Sequence, residues 1–451
     1  QFFNLLVGIN ILVHGWSNQP LLINLLIFFV IGTFISGFYP ALVLSGFKPI
    51  AVLKGKFNNS KSGIITRKSL VVVQFAVSLI LIAGTFIVHE QIKYMQTRDL
   101  GISVDNVISL QIPEADADTE EEYNAFISRF DAFKEKLRNY AGIEAVGGTS
   151  NLPGGEASDI NSTSSRMQIV GKSDPTDGTS FIQYIDDSFA EAVGLEILAG
   201  RNFNKNVRSD SNAIIVNESY LKRFNLSSIE EAVDQQLHYM DWSRNNKRTI
   251  IGVFADYNRT SLKSQIEPTI YSPWRNADAL VIRLNSMTSI DYIKETWASF
   301  FPDTPFDYSY LSERFAKLYA QEERFGNIFL VFASLAVIIA LLGLYGLASF
   351  ISIQRSKEVG VRKVLGASEI QIIAIFYSYF FRLVGIAALF GIPIIYIYMK
   401  GWLNNYAYHI DFPWLTLLMA LGLISLLALV TVAYQTSKVA RLNTTDILRA
   451  E

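Results

Sequence analysis

Residues 357–368 read Lys-Glu-Val-Gly-Val-Arg-Lys-Val-Leu-Gly-Ala-Ser and lie between two long apolar runs, roughly 325–353 and 372–399. Apolar runs of this length are typical of helices that cross a membrane. A charged segment with glycines between two of them is typical of a connector on one membrane face. The rest of the chain can be organised around this connector.

The connector has the spacing of an amphipathic helix. Val361, Val364 and Leu365 share one side at i, i+3 and i+4. Glu358 and Arg362 are four residues apart, so they can form an ion pair along a polar flank.

The end of this helix and the start of the next carry recognisable signals. Gly366 can end it, because glycine is favoured just after the last helical turn. Ser368 and Gln371 form a capping-box sequence that would start the next helix. The sequence therefore predicts a short amphipathic helix at the membrane surface that leads directly into a span.

Composition indicates a membrane protein with a soluble part. The chain has 451 residues, 50% of them apolar and 18% charged, and its mean hydropathy is +0.26. The absence of cysteine excludes disulfides, cysteine-ligated zinc and thiol catalysis, and the four histidines show no metal-ligand spacing. Because the first residue is Gln1 and no signal peptide follows, we expect the chain to begin inside a larger protein.

Charge is distributed unevenly along the chain. Residues 89–325 contain 36 of the 41 acidic residues and 24 of the 39 basic ones, so the remainder is basic. The basic residues of that remainder lie in short loops beside apolar runs, which indicates membrane topology rather than nucleic-acid binding.

Five spans are predicted from uncharged or nearly uncharged runs, at 21–38, 69–88, 325–353, 372–399 and 414–434. Under strict alternation every basic loop falls on one side of the membrane, which the positive-inside rule assigns to the cytoplasm. Residues 357–368 are then cytoplasmic and residues 90–324 extracytoplasmic.

A weak repeat appears at an offset of 395 residues. In this alignment the segment from Tyr39 to Lys54 corresponds to the segment from Tyr434 to Arg449. Each has the order of span, basic segment and Val/Ile-Leu-Lys/Arg ending. The chain therefore resembles the tail of one repeat followed by a complete second repeat.

The region 90–324 is predicted to be an α+β domain. Alternating apolar residues predict strands at 106–112, 166–171, 180–185, 213–216, 248–254 and 279–284. Helical spacing predicts helices at 120–140, 187–194, 217–225 and 289–300. Stretches rich in Gly, Ser and Asp at 147–165 and 171–179 predict loops.

No motif in the chain predicts catalysis. Gly171-Lys172-Ser173 lacks the leading glycine of a phosphate-binding loop, where Arg166 stands instead. The acidic clusters at 120–122 and 186–187 could be metal or acid/base sites, but acidic residues at a helix start explain them more simply.

Two polar residues fall in predicted spans. Arg382 could be a functional intramembrane charge, but an arginine at this position more often extends to the interface or faces another helix. Gln74 is interpreted as a helix-packing contact rather than a substrate ligand.

The run from Glu358 to Ser368 resembles the Glu-Ile-Gly-Ile-Arg-(Arg/Lys)-x-x-Gly-Ala-Ser signature of MacB- and FtsX-like ABC transporter permeases. Shorter matches extend the resemblance over essentially the whole chain. They include Phe38-Tyr39-Pro40-Ala41, Phe47-Lys48-Pro49, Arg67-Lys68 with Gln74-Phe75, Ala199-Gly200-Arg201-Asn202-Phe203, and Ile251-Gly252-Val253 with Asp256-Tyr257-Asn258.

This resemblance implies a membrane α-helical bundle of five spans plus an α+β extracytoplasmic domain. It divides the chain into the last span of a first repeat with its basic loop (1–68), the first span of the second repeat (69–89), an extracytoplasmic domain (90–324) and a three-span permease domain (325–451). The bacterial cytoplasmic (inner) membrane is the implied location, and a permease dimer and an extracytoplasmic protein partner are also implied.

The resemblance further implies that residues 357–368 form a coupling helix for a separate cytoplasmic ABC ATPase subunit. ATP and Mg would then bind to that partner, and this chain itself would need no cofactor and no metal. The implied ATPase-coupling residues are Glu358, Val359, Gly360, Val361, Arg362, Lys363, Leu365, Gly366, Ala367 and Ser368.

The function predicted on this basis is a permease that transmits ATP-driven motion to its extracytoplasmic domain, for export, lipoprotein release or mechanotransmission. A membrane-anchored sensor with an extracytoplasmic ligand-binding domain is the alternative. A membrane enzyme is a third hypothesis, but the sequence holds no recognisable catalytic constellation. Fold does not choose the substrate or the direction of transport.

Overall fold

The computed structural model describes residues 19–45, 61–113, 118–155, 162–163, 167–169, 180–226, 228–241, 244–273 and 278–440. The chain divides into two compact units. The helical unit comprises Gln1–Gln91, Glu322–Leu403 and Ile410–Glu451. The sheet unit comprises Ile92–Gln321 and Asn404–His409.

The described residues form twelve α-helices. In chain order they are α1 (Gln19–Ser45), α2 (Lys61–Thr97), α3 (Glu120–Arg138), α4 (Phe189–Val193), α5 (Glu218–Arg223), α6 (Ile229–Ala232), α7 (Ser289–Phe300), α8 (Leu311–Lys317), α9 (Ala320–Gln354), α10 (Ser356–Val364), α11 (Glu369–Leu403) and α12 (Trp414–Ala440).

They also form twelve strands. These are β1 (Val107–Gln111), β2 (Ile143–Thr149), β3 (Ser162–Thr163), β4 (Met167–Ile169), β5 (Ser180–Ile185), β6 (Ile197–Gly200), β7 (Ala213–Asn217), β8 (Gln236–Asp241), β9 (Arg244–Phe254), β10 (Thr269–Pro273), β11 (Ala279–Leu284) and β12 (Tyr308–Tyr310).

Four helices are long and apolar enough to cross a membrane, and they contain four of the five predicted spans. They are Ile65–Thr97, Ala320–Gln354, Ile370–Leu403 and Trp414–Ser437. The first predicted span lies in α1, whose described apolar run, Leu22–Phe34, is shorter. The number of five spans therefore stays a prediction. The two aligned segments 48–54 and 443–449, on which the repeat depends, lie outside the described residues.

Small side chains let α2 and α9 pack closely. Gly326 lies next to Val88, and Gly343 lies next to Gln74, so the two helices run antiparallel. On α9, the buried residues Ala333, Ala340 and Leu347 follow Gly326 at intervals of seven residues, the spacing of a left-handed helix pair. Small residues at such spacing favour close approach of helices in a membrane, and the packing contact predicted for Gln74 is confirmed.

The strands form one mixed sheet in the order β12-β1-β11-β2-β5-β10-β7-β9-β8-β4, with β3 on β5 and β6 on β9. Only the pairs β5/β10 and β7/β9 are parallel. The predicted mixture of strands and helices is confirmed.

Helices cover the sheet because its strands alternate apolar residues between two faces. On β1, Ile108 and Leu110 belong to a core that includes α3 and α7, whereas Val107 belongs to a core on the other face. Phe133 of α3 and Trp297 of α7 meet edge to face, with ring centroids 5.6 Å apart.

The predicted loop at 147–165 is wrong at its start, because β2 runs to Thr149. Its glycines hid the strand from a pattern search. Gly147 is needed there, since a Cβ at this position would collide with the backbone of Phe189 on α4. Strand β3 also lies inside this predicted loop, and strands β6, β8, β10 and β12 were missed as well, whereas the bounds of β5, β11 and α7 agree with the prediction.

Candidate functional site

The candidate site is α10 with the corner that joins it to α11. One residue, Arg355, separates α9 from α10. The helical hydrogen-bond pattern continues across it, because Arg355 N–H donates to Ile351 O and Val359 N–H donates to Arg355 O, both at 2.9 Å. Helix α10 therefore follows α9 without a flexible loop.

One side of α10 is anchored in the helical unit. Val359 is 6% exposed and belongs to the same apolar core as Ile372 and Phe376 of α11. Gly360 beside it is buried as well. This contact fixes the rotation of α10 about its own axis.

The opposite side of α10 is open. Val361, Val364 and Leu365 share a side, as predicted, and are 51%, 65% and 80% exposed. Arg362 donates from Nη2 to Glu358 Oε1 at 2.9 Å, so the predicted i, i+4 pair is present. The helix thus presents an apolar patch beside a paired acid and base.

The corner after α10 has a defined geometry. Gly366 has φ +91°, a backbone conformation that favours glycine. Ala367 N–H donates to Arg362 O at 2.9 Å, which is the long hydrogen bond of a Schellman motif. Ala367 is half-buried and packs against the apolar core, so the turn is held from inside.

The predicted capping box starts α11. Gln371 N–H donates to Ser368 Oγ at 3.3 Å, and Ser368 N–H donates to Gln371 Oε1 at 3.0 Å. Residues 365–368 are therefore a rigid corner, and the helix itself is shorter than the predicted 357–368.

The structure places all ten predicted coupling residues on this helix and corner, with Lys363 in the last turn of α10. They form a surface rather than an enclosed pocket. The sequence did not predict the burial of Val359 or the approach of Lys68 and Arg355 to Tyr379. Periodicity carries no signal for either, because both depend on contacts between distant segments.

Three of the five acidic residues considered as metal or acid/base sites have structural partners. Asp186 binds Lys134 and accepts from Ser188 N–H, while Asp187 lies 3.5 Å from Arg138. Glu122 completes a capping box at the start of α3. Within the described part of the chain, no three His, Cys, Asp or Glu side chains form a group that could hold a metal ion.

Several groups of the sheet unit have displaced pKa values, among them Asp210 and Tyr257. The hydrogen bonds from Arg201 hold the pKa of Asp210 below its usual value, with Nη1 and Nη2 each 2.7 Å from a carboxylate oxygen. Burial raises the pKa of Tyr257 to about 12, and its hydroxyl donates to Gln183 Oε1. Asp210 and Tyr257 are both buried.

Two family models match the chain. The MacB-like periplasmic core domain matches residues 70–299, about half of the chain, and the FtsX-like permease C-terminal domain matches residues 330–444. The chain belongs to the MacB/FtsX-like family of ABC transporter permeases. The residues predicted to couple lie within the FtsX-like match, and permeases of this family work with a cytoplasmic ABC ATPase.

Three solved structures show similarity to about half of the chain. The periplasmic region of MacB from Actinobacillus actinomycetemcomitans has 14% identity and a TM-score of 0.32, with 49% of this chain and 96% of that one covered. The extracellular domain of the ABC-type transporter YknZ from Gram-positive bacteria has 15% identity and a TM-score of 0.30, with 45% and 98% covered.

A third structure, a domain of a protein described as a permease from Porphyromonas gingivalis, has 17% identity and a TM-score of 0.30, with 45% and 88% covered. Because these TM-scores are low, the family assignment rests on the sequence models. No curated protein sequence matches the chain significantly.

Proposed function

We propose that this permease transmits ATP-driven motion from a cytoplasmic ATPase subunit to its extracytoplasmic domain. In this proposal the sheet unit lies outside the bacterial inner membrane and α10 lies in the cytoplasm. Segment 21–38 would be a fifth span, ending a first repeat whose basic loop runs to residue 68. ATP and Mg would bind to the partner, and the assembly would contain a permease dimer.

The observation that carries the proposal is the two-sided character of α10. Val359 anchors one side in the helical core, while Val361, Val364 and Leu365 leave an apolar patch open on the other. An exposed apolar patch that is bordered by charged residues is typical of a surface that contacts another protein or the membrane. A partner that binds the exposed side of α10 could therefore displace the helix.

The corner at Gly366 would transmit that displacement to α11. Arg355 continues the hydrogen-bond pattern of α9 into α10, and the Schellman turn and capping box connect α10 to α11. A displacement of α10 would therefore move two long helices together. Rigid transmission suits helices that hold so few charged residues better than a polar substrate channel does.

The chain offers two routes from these helices into the sheet unit. Helix α2 continues as one helix to Thr97, six residues into that unit. The hexapeptide Asn404–His409, between α11 and α12, also belongs to it. There Ala407 N–H donates to Lys263 O at 2.9 Å, so movement of α11 would be applied directly to the sheet unit.

Co-purification tests the docking part of the proposal. A tagged wild-type chain should recover an ATPase subunit with a Gly-x-x-x-x-Gly-Lys-Ser/Thr motif from its own membranes. Leu365→Glu should reduce that recovery several-fold, because it puts a charge into the exposed patch. Met287→Glu is the matched control, since Met287 is 49% exposed in the sheet unit. Equal recovery by Leu365→Glu and wild type would overturn the docking assignment.

A further inference from the structure

One loop of the sheet unit is hydrogen-bonded to all the segments that connect this unit to the long apolar helices. The chain passes between the two units at four points, after Gln91, Gln321, Leu403 and His409. Residues 258–263, in the loop between β9 and β10, form hydrogen bonds with the segments that continue from these points. We refer to residues 258–263 as the junction loop.

The first of these segments is the chain that leaves α2. Asn258 N–H donates to Leu100 O at 2.8 Å, three residues after α2 ends at Thr97. Gly101 follows with φ +79°, and a Cβ at this position would lie 2.7 Å from Asp256 O. The glycine therefore lets the chain that leaves α2 lie directly against the residues that lead into the junction loop.

The other two segments are the start of α9 and the connection between α11 and α12. Leu262 N–H donates to the hydroxyl oxygen of Tyr319 at 3.0 Å, one residue before α9 begins. Ala407 N–H donates to Lys263 O at 2.9 Å, and Tyr408 N–H donates to the carbonyl of Leu262 at 3.3 Å. Leu262 is fully buried and Tyr319 is 2% exposed, so the hydrogen bond between them lies inside the sheet unit.

The junction loop also leads directly into the inner strands of the sheet. It joins β9 to β10, and these two strands pair with opposite edges of β7. All three strands have neighbours on both sides in the order of the sheet. A displacement of the junction loop would therefore be applied to inner strands rather than to a free edge.

A buried ion pair joins the junction loop to the start of β10. Arg259 is 8% exposed, and its Nη2 lies 3.5 Å from Glu267 Oε2, two residues before β10 begins. The backbone carbonyl of Glu267 accepts from the side-chain amide of Asn217 on β7 at 2.9 Å. Removing one partner of a buried ion pair leaves the other charge uncompensated, which is strongly destabilising. The pair therefore holds the two ends of the segment 259–267 together.

We propose that the junction loop receives the movements of α2, α9 and α11 and applies them to β9 and β10, and that Arg259 is the positioning residue that holds the loop in the required shape. This inference rests on the proposed function, and it names the element of the sheet unit that receives the motion. A loop that is bonded to three segments at once cannot follow one of them without displacing the others. The loop is thus a physical connection between the helices and the sheet.

Amide exchange of the full chain in detergent tests whether the junction loop joins these segments. Arg259→Met should accelerate exchange about fivefold in peptides covering 258–263 and 404–409, because the hydrogen bonds between them open more often. The peptide 107–111 in β1 should exchange as in the wild type. Arg201→Met is the matched control, since it breaks a different ion pair of the sheet unit, with Asp210, and should leave the peptide 404–409 unchanged.

A milder variant keeps this test decisive if Arg259→Met does not fold. Tyr319→Phe removes only the hydroxyl group that accepts from Leu262 N–H, and it leaves no charge unpaired. It should also accelerate exchange in the peptide 404–409, since both segments are bonded to the same loop. Wild-type exchange in this peptide would overturn the inference and would leave the docking of an ATPase on α10 unaffected, because the experiment uses the permease alone.

A second readout separates a positioning role from a merely structural one. The permease is reconstituted with the ATPase that it recovers, and exchange in peptides of β9 and β10 is compared with and without ATP and Mg. Arg259→Met should reduce the ATP-dependent change about fivefold, while its stimulation of ATP hydrolysis stays at the wild-type level. A full ATP-dependent change in Arg259→Met, or a parallel loss of stimulation, would overturn the inference. Absence of any change in the wild type would contradict the proposed function itself.

Discussion

The side-chain amide of Gln74 on α2 occupies the space that a Cβ on Gly343 of α9 would need. Gln74 Oε1 is buried there and accepts no hydrogen bond from any described residue. The glycine therefore makes room for a polar side chain inside the helix pair.

Enlarging Gly343 should loosen this helix pair in proportion to the size of the new side chain. Gly343→Ala should have a small effect, because the amide is the flexible end of its side chain and can shift. Gly343→Leu should destabilise the chain by about 1–3 kcal/mol through overpacking. Gly346→Leu is the control, since a Cβ at Gly346 meets no atom within 4 Å. Thermal unfolding in detergent measures the difference, and equal melting of the two leucine variants would contradict the packing described.

The corner at Gly366 should be sensitive to any side chain. Its φ of +91° disfavours an L-residue by about 1–2 kcal/mol. Gly366→Ala should therefore open the Ala367–Arg362 hydrogen bond more often, and amide exchange in a peptide covering 360–372 should become about tenfold faster. Gly385→Ala, at an open position in α11, should leave that peptide unchanged. Unaltered exchange in Gly366→Ala would show that the corner is not held as described.

The Arg201–Asp210 pair should make the sheet unit sensitive to acid. Because the pKa of Asp210 is lower in the folded chain than in the unfolded one, its stabilising contribution is complete above the unfolded value, near 4. That contribution is lost as the pH falls through the lower, folded pKa. The side chain of Asp210 is only 5% exposed. Removing its charge would therefore leave the Arg201 guanidinium without the carboxylate to which it donates.

Asp210→Asn should destabilise the chain by roughly 1.5–3 kcal/mol at pH 7. The difference from wild type should shrink below about pH 4. Glu135→Gln, which removes a half-exposed partner of Lys205, should have a much smaller effect. Denaturant unfolding at several pH values measures this, and a pH-independent difference for Asp210→Asn would contradict the assignment.

Local signals predicted much of the fold. The bounds of β5, β11 and α7 follow from their apolar patterns, and the Ser368–Gln371 capping box follows from its spacing. Strand β2 was not predicted, because glycine at position 147 gives no strand signal. Glycine is required there because a Cβ would collide with the backbone of Phe189, which is distant in the sequence. Hydropathy located four helices that are long and apolar enough to cross a membrane, and a helix such as α2 extends beyond its apolar run at both ends.

The candidate site was predictable as a list of residues but not as a surface. Periodicity grouped Val361, Val364 and Leu365 on one side, and the structure leaves that side exposed. It could not show that Val359, on another side, is the residue packed into the core. Which side of an amphipathic helix meets the core depends on its neighbours, and here these come from α11.

The charge pair on α10 provides the most direct test of force transmission. The measurement is stimulation of the partner's ATP hydrolysis by the permease, reconstituted together in liposomes at matched amounts of membrane-inserted chain. Arg362→Glu should lower this stimulation at least tenfold, because it reverses the charge presented beside the exposed patch.

The double variant Glu358→Arg/Arg362→Glu separates docking from helix stability, since it keeps an i, i+4 pair but exchanges the positions of the two charges. If α10 docks on the ATPase, the double variant stays uncoupled although its helix is intact. Wild-type stimulation by Arg362→Glu, or full recovery in the double variant, would contradict the coupling role of α10.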